Sequence, residues 1–448
     1  MRENGRPFCP PSDVFVTSSL SFDAIVIGAG AAGLFCAAQA GQRGLSVLLL
    51  DHAEKVAEKI RISGGGRCNF TNRDLDVRAP HKHFVGGNPQ FCRSALSRYT
   101  PADFIALMDR HGIAHHEKHK GQLFADRSAE DIIAMLLAEC QAGGVQRWQP
   151  CKVDSVAHSD GQYRLQTSRG AVQAPSLVIA TGGLSIPKIG ATDFGYRLAQ
   201  QFGLPLVERT PGLVPLTFDG DAWAPYAQLA GLALPVEIST RISDPHAPPL
   251  RGSLPPEGAA SALGRPGGKR KERMAFMEDL LFTHRGLSGP AVLQISSYWK
   301  PGTPLSINLA PEVDLQGELL RAKSRSRKLI ANELAQWLPS RLADAWVQQD
   351  AAWQRPIAEA SDKALNHLAE RLSRWEIVPT GTEGYKKAEV TLGGVDTRAL
   401  SQQTMECKTQ PGLYCIGEVV DITGWLGGYN FQWAWASGHA CAQALPSA

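Results

Sequence analysis

The sequence predicts an α/β fold in which a doubly wound, Rossmann-like domain is split by an inserted β-rich unit and a small helical subdomain. Three observations support this prediction. A strand, turn, helix and strand with glycines in GxGxxG spacing lie near the start of the chain, at residues 23–51. Glycine turns after short apolar runs return near its end, at residues 388–428. Between them, residues 206–375 contain short proline-rich strands and then apolar residues at helical spacing, which indicates a separate unit.

The first of these patterns has the form of a dinucleotide-binding fingerprint. Apolar residues 24–27 precede the glycines, residues 31–41 form a helix of small residues, and a second apolar run, 47–50, ends on Asp51. The first glycine permits a tight turn, the second lets the backbone approach a pyrophosphate, and the third lets the helix pack close to the strand. The helix N-terminus is expected to hold the phosphates, and the acid to bind ribose hydroxyls. The three glycines are Gly28, Gly30 and Gly33.

The composition is typical of a soluble globular protein, with 43% hydrophobic and 20% charged residues. A length of 448 residues predicts two or three domains. No apolar run is long enough to span a membrane, and residues 1–20 lack the apolar core of a signal peptide, so we interpret them as a loose extension. Nine cysteines without a CxxC pair argue against a disulfide framework and favour the cytoplasm. A formal net charge of +3 is too small to indicate a polyanionic partner by itself.

A run of glycines follows the fingerprint in residues 63–69, SGGGRCN. Three consecutive glycines cannot stabilise a helix, and they suit a loop whose backbone lies against a ligand. A surface loop without a ligand is the alternative, but the position directly after the nucleotide fold favours contact with a cofactor. Further along, the apolar run 176–180 ends at a second glycine turn, residues 181–183, at the edge where a doubly wound sheet binds ligands.

Two helix starts are predicted in residues 100–150. Thr100 with Asp103 and Ser128 with Asp131 have the spacing of capping boxes. Because the intervening segment lacks a matching pattern of cysteines or carboxylates, we predict that its histidines are solvated or at the core edge and that no metal is bound. These histidines are His111, His115, His116 and His119.

The character of the chain changes after residue 205. Residues 206–310 are predicted to form a β-rich insert, in which residues 245–275, rich in proline, glycine and charge, form a mobile loop. Apolar positions at helical spacing predict a helical insert at residues 311–375. His284 and Arg285 lie on a turn between a strand and a helix, where capping and packing or a role at an active site are equally open.

Two clusters of cations lie in this inserted region. With no acid among residues 321–328, the second cluster is either a solvated helix face or, together with the first, a phosphate-binding surface. The cations are Lys269, Arg270, Lys271, Arg273, Arg321, Lys323, Arg325, Arg327 and Lys328.

The last part of the chain directs glycine turns toward the site predicted at its start. Glycines 393–394 follow one short strand, Gly417 follows another, and glycines 427–428 open the last helix. We therefore predict a split cofactor domain made of residues 21–205 and 376–448.

Two sets of glycine turns favour FAD over NAD. FAD offers two places to hold, its pyrophosphate at the first helix and its isoalloxazine at the last. The N-terminus of the last helix, near Gly428, is predicted to point at the N1 and O2 edge of the flavin, where negative charge develops on reduction.

Five separated motifs in one order resemble those of the bacterial flavoproteins grouped with aminoacetone oxidase and the bile-acid reductases. The motifs are SGGGRCNFTN, LVIATGGLSIPKIGATDFGY, LLFTHRGLSGPAVLQISSYW, AEVTLGGVDT and GLYCIGEVVDITGWLGGYNFQWAWASG. The resemblance covers about residues 20 to 445 and implies a split FAD domain, a β-barrel-like insert and a helical insert similar to a helix-two-turn-helix module. The 245–275 segment is longer than this family needs.

The resemblance also implies a set of FAD-binding residues around the glycine turns. The set is Gly28, Gly30, Ala31, Ala32, Gly33, Asp51, His52, Lys59, Ser63, Gly64, Gly65, Gly66, Arg67, Cys68, Asn69, Val153, Thr181, Gly182, Gly183, Gly417, Glu418, Asp421, Gly427, Gly428, Tyr429 and Asn430.

Some members of this family reduce a uridine of 23S ribosomal RNA to dihydrouridine, and the resemblance implies this activity here, with NADH or NADPH as electron donor. The partner is then 23S ribosomal RNA or a ribosome precursor in the cytoplasm, and the two basic clusters are expected to bind it. Cys68 and His284 are candidate catalytic residues. Cys68 is the candidate proton donor, with packing or backbone positioning as its alternative role.

Two other functions stay open at this point. One is an FAD-dependent oxidase or reductase of a small amine or enone, since relatives with similar cofactor motifs have such activities and a fold does not determine its substrate. The other is a non-catalytic RNA-binding flavoprotein in which FAD is structural. We make no prediction of the oligomeric state.

Overall fold

The computed structural model of the protein describes residues 19–241 and 273–446. Within these ranges it contains thirteen α-helices: α1 Ala31–Gln42, α2 Glu58–Ile62, α3 Arg93–Arg98, α4 Pro101–Arg110, α5 Ala129–Ala142, α6 Phe194–Gln201, α7 Gly220–Ala227, α8 Pro290–Ser296, α9 Leu315–Arg325, α10 Ile330–Leu334, α11 Ser340–Val347, α12 Asp362–Ser373 and α13 Tyr429–Ala444. None of the helices in the described ranges is both long and apolar enough to cross a lipid bilayer.

The same ranges contain twenty-three strands. They are β1 Leu20–Ser21, β2 Ala24–Ile27, β3 Val47–Leu50, β4 Asn69–Asn72, β5 Phe84–Val85, β6 His115–Glu117, β7 Gln122–Ala125, β8 Gln146–Trp148, β9 Val153–Ser159, β10 Gln162–Thr167, β11 Gly170–Ala174, β12 Ser176–Ile179, β13 Leu206–Gly212, β14 Leu216–Thr217, β15 Ala233–Arg241, β16 Arg273–Thr283, β17 Gly286–Ser288, β18 Leu305–Asn308, β19 Trp375–Ile377, β20 Gly381–Thr382, β21 Val390–Val395, β22 Leu413–Cys415 and β23 Thr423–Gly424.

A five-stranded parallel sheet in the order β22-β12-β2-β3-β8 forms the centre of the first half of the fold. Its inner strands β12, β2 and β3 are buried along their whole length, because they carry apolar residues on both faces. The chain proceeds from β2 toward β3 on one side and returns through β12 on the other. The C-terminal end of β2 is therefore the point where the strand order reverses, which is where such sheets bind ligands. The predicted Rossmann-like fold is confirmed.

Helices from the two ends of the chain pack together on this sheet. A Cβ atom built on Gly438 of α13 would lie 2.9 Å from the carbonyl oxygen of Ala32 in α1, so the two backbones are in close contact. At the other end of α1, Arg43 donates to the carbonyl oxygen of Leu445 (3.0 Å). The two helices therefore run in the same direction. One hydrophobic cluster accordingly contains residues from 22–204 and from 395–445.

A second hydrophobic cluster spans residues 216–375 and includes a seven-stranded antiparallel sheet in the order β19-β18-β15-β16-β17-β14-β20. Its two edge strands, β19 and β20, are separated by residues 378–380 alone, so the edges lie close together and the sheet curls into a barrel-like shape. Helices α9–α12 belong to this same cluster, and Trp346 of α11 packs edge-on against Trp375 of β19 at 5.1 Å. The helical insert therefore shares a core with the sheet and has no separate one among the described residues. The domain boundaries given above stay a prediction.

Some local predictions meet the structure directly. At Thr100 both hydrogen bonds of the capping box are present. At the second helix start Ser128 accepts from the Glu130 N–H (3.1 Å), and Asp131 binds Arg127 (2.5 Å).

Two predicted loops are partly wrong at their ends. The predicted N-terminal extension ends in a strand, because Leu20 pairs with Val172 in β1 and β11. The last residues of the predicted 245–275 loop are also a strand, since Arg273 pairs with Arg241 at the start of β16. The backbone pairing of β15 with β16 continues to this point. The rest of both predictions, and the cations Lys269, Arg270 and Lys271, lie outside the described residues.

Candidate cofactor site

Two of the three glycines in the turn between β2 and α1 cannot be replaced by a larger residue without a clash. Gly28 has a φ of +111°, and a Cβ there would lie 2.4 Å from the carbonyl oxygen of Ala180 at the end of β12. A Cβ on Gly33 would lie 1.8 Å from the carbonyl oxygen of Gly28. Gly30 differs, because a Cβ built there meets nothing within 4 Å. The first turn of α1 therefore faces open space at Gly30, as a bound phosphate requires.

Asp51 at the end of β3 is fixed beside this turn. Its Oδ2 accepts from the Ala29 N–H (2.6 Å) and its Oδ1 accepts from the Ala53 N–H (2.8 Å). The Asp51 carbonyl oxygen accepts from the Cys151 N–H (2.7 Å), which brings the start of β9, Val153, to the same edge. His52 is half-exposed there, with its Nδ1 3.8 Å from Asp51 Oδ1. The carboxylate thus orients the glycine turn and lies where ribose hydroxyls are predicted.

Residues 63–66 form a kinked turn in which all three glycines have positive φ angles. A Cβ on Gly64 would lie 2.9 Å from both the Asn69 nitrogen and the Phe124 ring, so this side of the turn packs against β7. Cβ atoms on Gly65 and Gly66 would meet nothing within 4 Å. The turn therefore presents bare backbone to open space, which is the arrangement predicted for contact with a ligand.

Cys68, at the end of this turn, is fully buried. Burial raises the pKa of its thiol to about 12, although a hydrogen bond with Ser63 opposes the shift. Such a thiol stays neutral at physiological pH and is a weak acid. Its surroundings favour the packing role that the sequence also allowed, whereas the neighbouring Arg67 is exposed.

The turn that precedes α13 is held by β4, although Asn72 and Gly427 are 355 residues apart in the sequence. The Asn72 Nδ2 donates to the Gly427 carbonyl oxygen (2.8 Å) and to that of Lys120 (3.1 Å). A Cβ on Gly428 would lie 2.3 Å from the Thr71 carbonyl oxygen. Gly428, with a φ of +97°, is the N-cap of α13. The N-terminus of α13 is therefore anchored next to the 63–69 loop.

Some predicted residues in this turn are already occupied by structural contacts. Asn430 accepts from the Gly424 N–H and donates to the Gly424 carbonyl oxygen, both at 2.8 Å. Tyr429 stacks on His83 with ring centroids 4.7 Å apart. With the Asn69 amide oriented to satisfy its neighbours, its oxygen accepts from the Gly428 N–H (3.3 Å). These side chains shape the turn, while its backbone N–H groups supply the helix end.

A polar network that the sequence did not reveal connects three segments of the site. The Lys59 ammonium of α2 lies 2.5 Å from Glu418 and donates to the Ser185 hydroxyl (2.8 Å). The other Glu418 oxygen accepts from the Thr391 N–H (2.9 Å). Ser185 and Thr391 each lie within three residues of a glycine pair, 182–183 and 393–394, and this proximity was the available signal.

Thr181 lies where β12 ends, and its backbone would touch a Cβ on Gly28 at 3.1 Å. Its Oγ1 is buried and makes no hydrogen bond within the described residues. This oxygen lies against Gly195 at the start of α6, where a built Cβ would overlap it, so it faces that helix.

Asp421 is 3% exposed and accepts from the Gly87 N–H (2.8 Å). Burial raises the pKa of its carboxyl above the ordinary value, and the neighbouring Asp396 acts in the same direction. Gly417, at the preceding turn, donates to Ser437 of α13 (3.0 Å).

The spacing of the two helix ends indicates the kind of ligand that this site can hold. Ala32 in the first turn of α1 lies level with Gly438, the tenth residue of α13. At a rise of 1.5 Å per residue, α13 therefore begins about 12 Å beyond the N-terminus of α1. An extended ligand with an anionic centre and a second electron-rich group would contact both positive helix ends. With open space at Gly30, Gly65 and Gly66, the residues fit an extended dinucleotide, and the individual cofactor contacts stay a prediction.

Acids from outside the 321–328 segment neutralise part of the basic cluster on α9. Arg321 and Arg325 both approach Glu318 (2.6 and 3.8 Å), and Lys323 pairs with Asp362 of α12 (2.6 Å). Arg327 and Lys328 are exposed and have no acidic partner within 4 Å in the described part of the chain. Arg273, from the first cluster, donates to the Ser239 hydroxyl (2.8 Å).

His284 and Arg285 lie exposed in the turn between β16 and β17, where they border a cavity of about 360 Å³ with Asp219 and Trp223. The cofactor half contacts β16 near its middle, seven residues before His284, where Lys120 binds the Met277 carbonyl oxygen (2.7 Å). The structure therefore does not bring His284 together with the cofactor residues.

The histidines of residues 111–119 are separated in the structure. His111 pairs with Glu139 (2.7 Å), and His116 pairs with Asp126 (2.6 Å). Among residues 19–241 and 273–446, no group of three or more histidines, cysteines and acids is placed to hold a metal ion.

Comparison with known proteins identifies relatives over nearly the whole chain. A family model described as HI0933-like protein Rossmann domain matches residues 22–444. The sequence is 47% identical over 428 residues to a ribosomal RNA dihydrouridine synthase of Escherichia coli, covering 95% of this chain and 98% of that protein. A ribosomal RNA dihydrouridine synthase of Haemophilus influenzae is 43% identical over 94% of this chain and 98% of its own length. A 3-dehydro-bile acid delta(4,6)-reductase of Clostridium scindens is 26% identical, with the same two coverages.

Proposed function

Because the chain belongs to the HI0933-like family of Rossmann-domain proteins, we propose that it is an FAD-dependent oxidoreductase that reduces a uridine of ribosomal RNA to dihydrouridine. The observation that carries the proposal is the 47% identity, over 95% of this chain, to a protein named for this activity. The finer parts of the proposal are 23S ribosomal RNA as target, free or in a ribosome precursor, NADH or NADPH as electron donor, and action in the cytoplasm.

The cofactor residues divide the work of holding FAD. The open N-terminus of α1 at Gly30 binds the pyrophosphate, and Asp51 holds the adenosine ribose. The N-terminus of α13, about 12 Å further along by its 1.5 Å rise per residue, would stabilise negative charge on the flavin. When bound, the flavin supplies the hydride for one carbon of the uracil C5–C6 double bond, and the other carbon takes a proton. Gly65 and Gly66 border the site with bare backbone, which leaves room for the flavin ring system.

The target base is proposed to enter where the two cores meet. Trp425, in the turn before α13, packs against both cores. Its indole N–H donates to the Tyr298 hydroxyl (2.6 Å), and its ring packs edge-on against His83 and Phe276. Trp425 is partly exposed. A uracil in structured RNA has to be unstacked before it reacts, and aromatic faces beside the flavin compensate for the lost stacking.

Cys68 is proposed to pack the flavin loop and not to donate the proton. In an assay of purified protein with FAD, NADPH and unmodified 23S ribosomal RNA, we expect nucleoside mass spectrometry to find new dihydrouridine. A Cys68→Ala variant should keep its rate within about threefold, because loss of a general acid costs about 10²–10⁴-fold. Cys92→Ala, at another fully buried cysteine, is the matched control. A loss of the larger size in Cys68→Ala alone, with flavin retained, would identify Cys68 as the donor.

A reductase of a small enone is the second candidate, and the 26% identity to the Clostridium scindens enzyme favours it. The same preparation would then turn over an enone or, aerobically, aminoacetone with release of peroxide, and would leave ribosomal RNA unchanged.

A further inference from the structure

We propose that the connection between α9 and α10 forms, with a neighbouring arginine, a surface that binds the phosphate backbone of the substrate RNA. We call it the loop surface and define it as Arg327, Lys328, Leu329 and Arg355. The inference rests on the proposed function, since its partner is the ribosomal RNA named there. Of the cations that the sequence indicates it keeps Arg327 and Lys328, and it adds Arg355 in place of the paired cations of α9.

The cations on α9 have acidic partners, whereas those of the loop surface do not, within the described ranges. Glu318 lies close to both Arg321 and Arg325, and Asp362 binds Lys323, so much of the charge on α9 is balanced within the protein. The pKa of the Glu318 carboxyl is lowered by its hydrogen bond with Arg321, which keeps this acid ionised. The three cations of the loop surface are exposed and form no ion pair with an acid in the described ranges. Their positive charge therefore remains available for a partner.

Backbone pairing brings Arg355 to the connection between α9 and α10, although Arg355 is distant in sequence from the other members. The Ile330 N–H donates to the Arg355 carbonyl oxygen (3.2 Å), and the Ile357 N–H donates to the Lys328 carbonyl oxygen (2.9 Å). Leu329 and Pro356 form the antiparallel bridge between these bonds. The pairing places the backbone of Arg355 alongside that of residues 328–330, directly after Arg327.

The connection between α9 and α10 is held in place by a buried carboxylate, that of Glu333. The Ser326 hydroxyl donates to Glu333 (2.6 Å), and Gln336 donates to the other oxygen of this carboxylate (2.6 Å). Glu333 is 3% exposed, and Ile330 and Ile357 are fully buried. Glu333 therefore lies beneath the loop and holds it in place without pairing with its cations. Binding then orders less backbone, which reduces the entropic cost of association.

The loop surface also contains one exposed apolar residue, Leu329. Leu329, directly after Lys328 in the chain, is 51% exposed, although large apolar side chains are usually covered. Phosphates bind to Lys and Arg, while the sugar and base faces of RNA offer apolar area beside them. A cationic surface with an apolar member fits a nucleic-acid strand better than it fits an acidic peptide.

The test compares two sets of substitutions in the full-length, flavin-bound protein. The test variant carries Arg327→Gln, Lys328→Gln and Arg355→Gln, and the control variant carries Arg321→Gln and Lys323→Gln at the paired positions. Binding to a 23S ribosomal RNA transcript is measured over a range of salt concentrations. Each lost phosphate contact lowers the slope of log K against log salt by about 0.7–0.9, so the test variant should lose about 2–3 and the control less than about 1.

Flavin content and melting temperature of both variants should equal those of the wild type, because the substituted side chains are exposed or partly exposed. An unchanged salt slope in the test variant would overturn the loop surface, and so would a slope change confined to the control variant. Loss of binding to a ribosomal protein with RNA affinity unchanged would also overturn it. If the wild type makes no dihydrouridine but the slopes differ as stated, the proposed function fails and the loop surface stands.

Discussion

A Gly30→Val variant is expected to fold and to purify without flavin. A Cβ at Gly30 meets no atom within 4 Å, and the residue has extended backbone angles that valine adopts readily. The added side chain therefore fills the space in front of α1 in which the pyrophosphate must approach the backbone. We expect FAD affinity to fall at least about 100-fold, which corresponds to about 2.8 kcal/mol at 1.4 kcal/mol for each factor of ten. Flavin absorbance and titration of the apoprotein measure this change.

Gly220→Val is the matched control for this substitution. Gly220 also has nothing within 4 Å of a built Cβ, and it lies at the start of α7, in the other core. Valine at the N-cap of α1 costs about 1 kcal/mol of cap preference, so a small fall in melting temperature is expected for Gly30→Val. Wild-type flavin content in Gly30→Val would show that the pyrophosphate does not lie at α1.

The second large effect is expected at Asn72, whose side chain positions the N-terminus of α13. Asn72→Leu keeps a similar volume but removes the hydrogen bonds to the carbonyl oxygens of Gly427 and Lys120 and the one from the Asp74 N–H. Unpaired buried polar groups cost about 1–3 kcal/mol each, so we expect a loss of about 2–4 kcal/mol. The α13 end should loosen first. Flavin should therefore be released, as seen by its fluorescence, well below the wild-type melting temperature.

Asn366→Leu in α12 provides the comparison. The buried Oδ1 atom of Asn366 has no hydrogen-bond partner among the described residues, so its removal should leave the temperature of flavin release nearly unchanged. Equal behaviour of the two variants would contradict the anchoring role of Asn72.

Much of the cofactor half was predictable because its signals are local. Four-residue apolar runs give buried parallel strands, and the glycine turn between β2 and α1 follows from three glycines in one motif. The capping box at Thr100 also depends on neighbouring residues alone. The structure agrees with the sequence at these three places, whereas at the second helix start Ser128 caps the helix and Asp131 binds Arg127.

Contacts between distant segments were not predictable. The bond from Asn72 to Gly427 and the ion pair of Lys59 with Glu418 each join residues more than 350 positions apart, and no local pattern specifies either partner. The basic segment on α9 was interpreted without acids because Asp362, which binds Lys323, lies on another helix. The curling of the inserted sheet likewise depends on which strands pair.

The central claim is most directly tested by nucleoside mass spectrometry of 23S ribosomal RNA from cells that lack this protein. We predict that one dihydrouridine is lost, that the wild-type gene restores it, and that the Gly30→Val variant does not. Unchanged dihydrouridine in cells without the protein would contradict the proposed function, and full restoration by a flavin-free variant would contradict a role of FAD in the reaction.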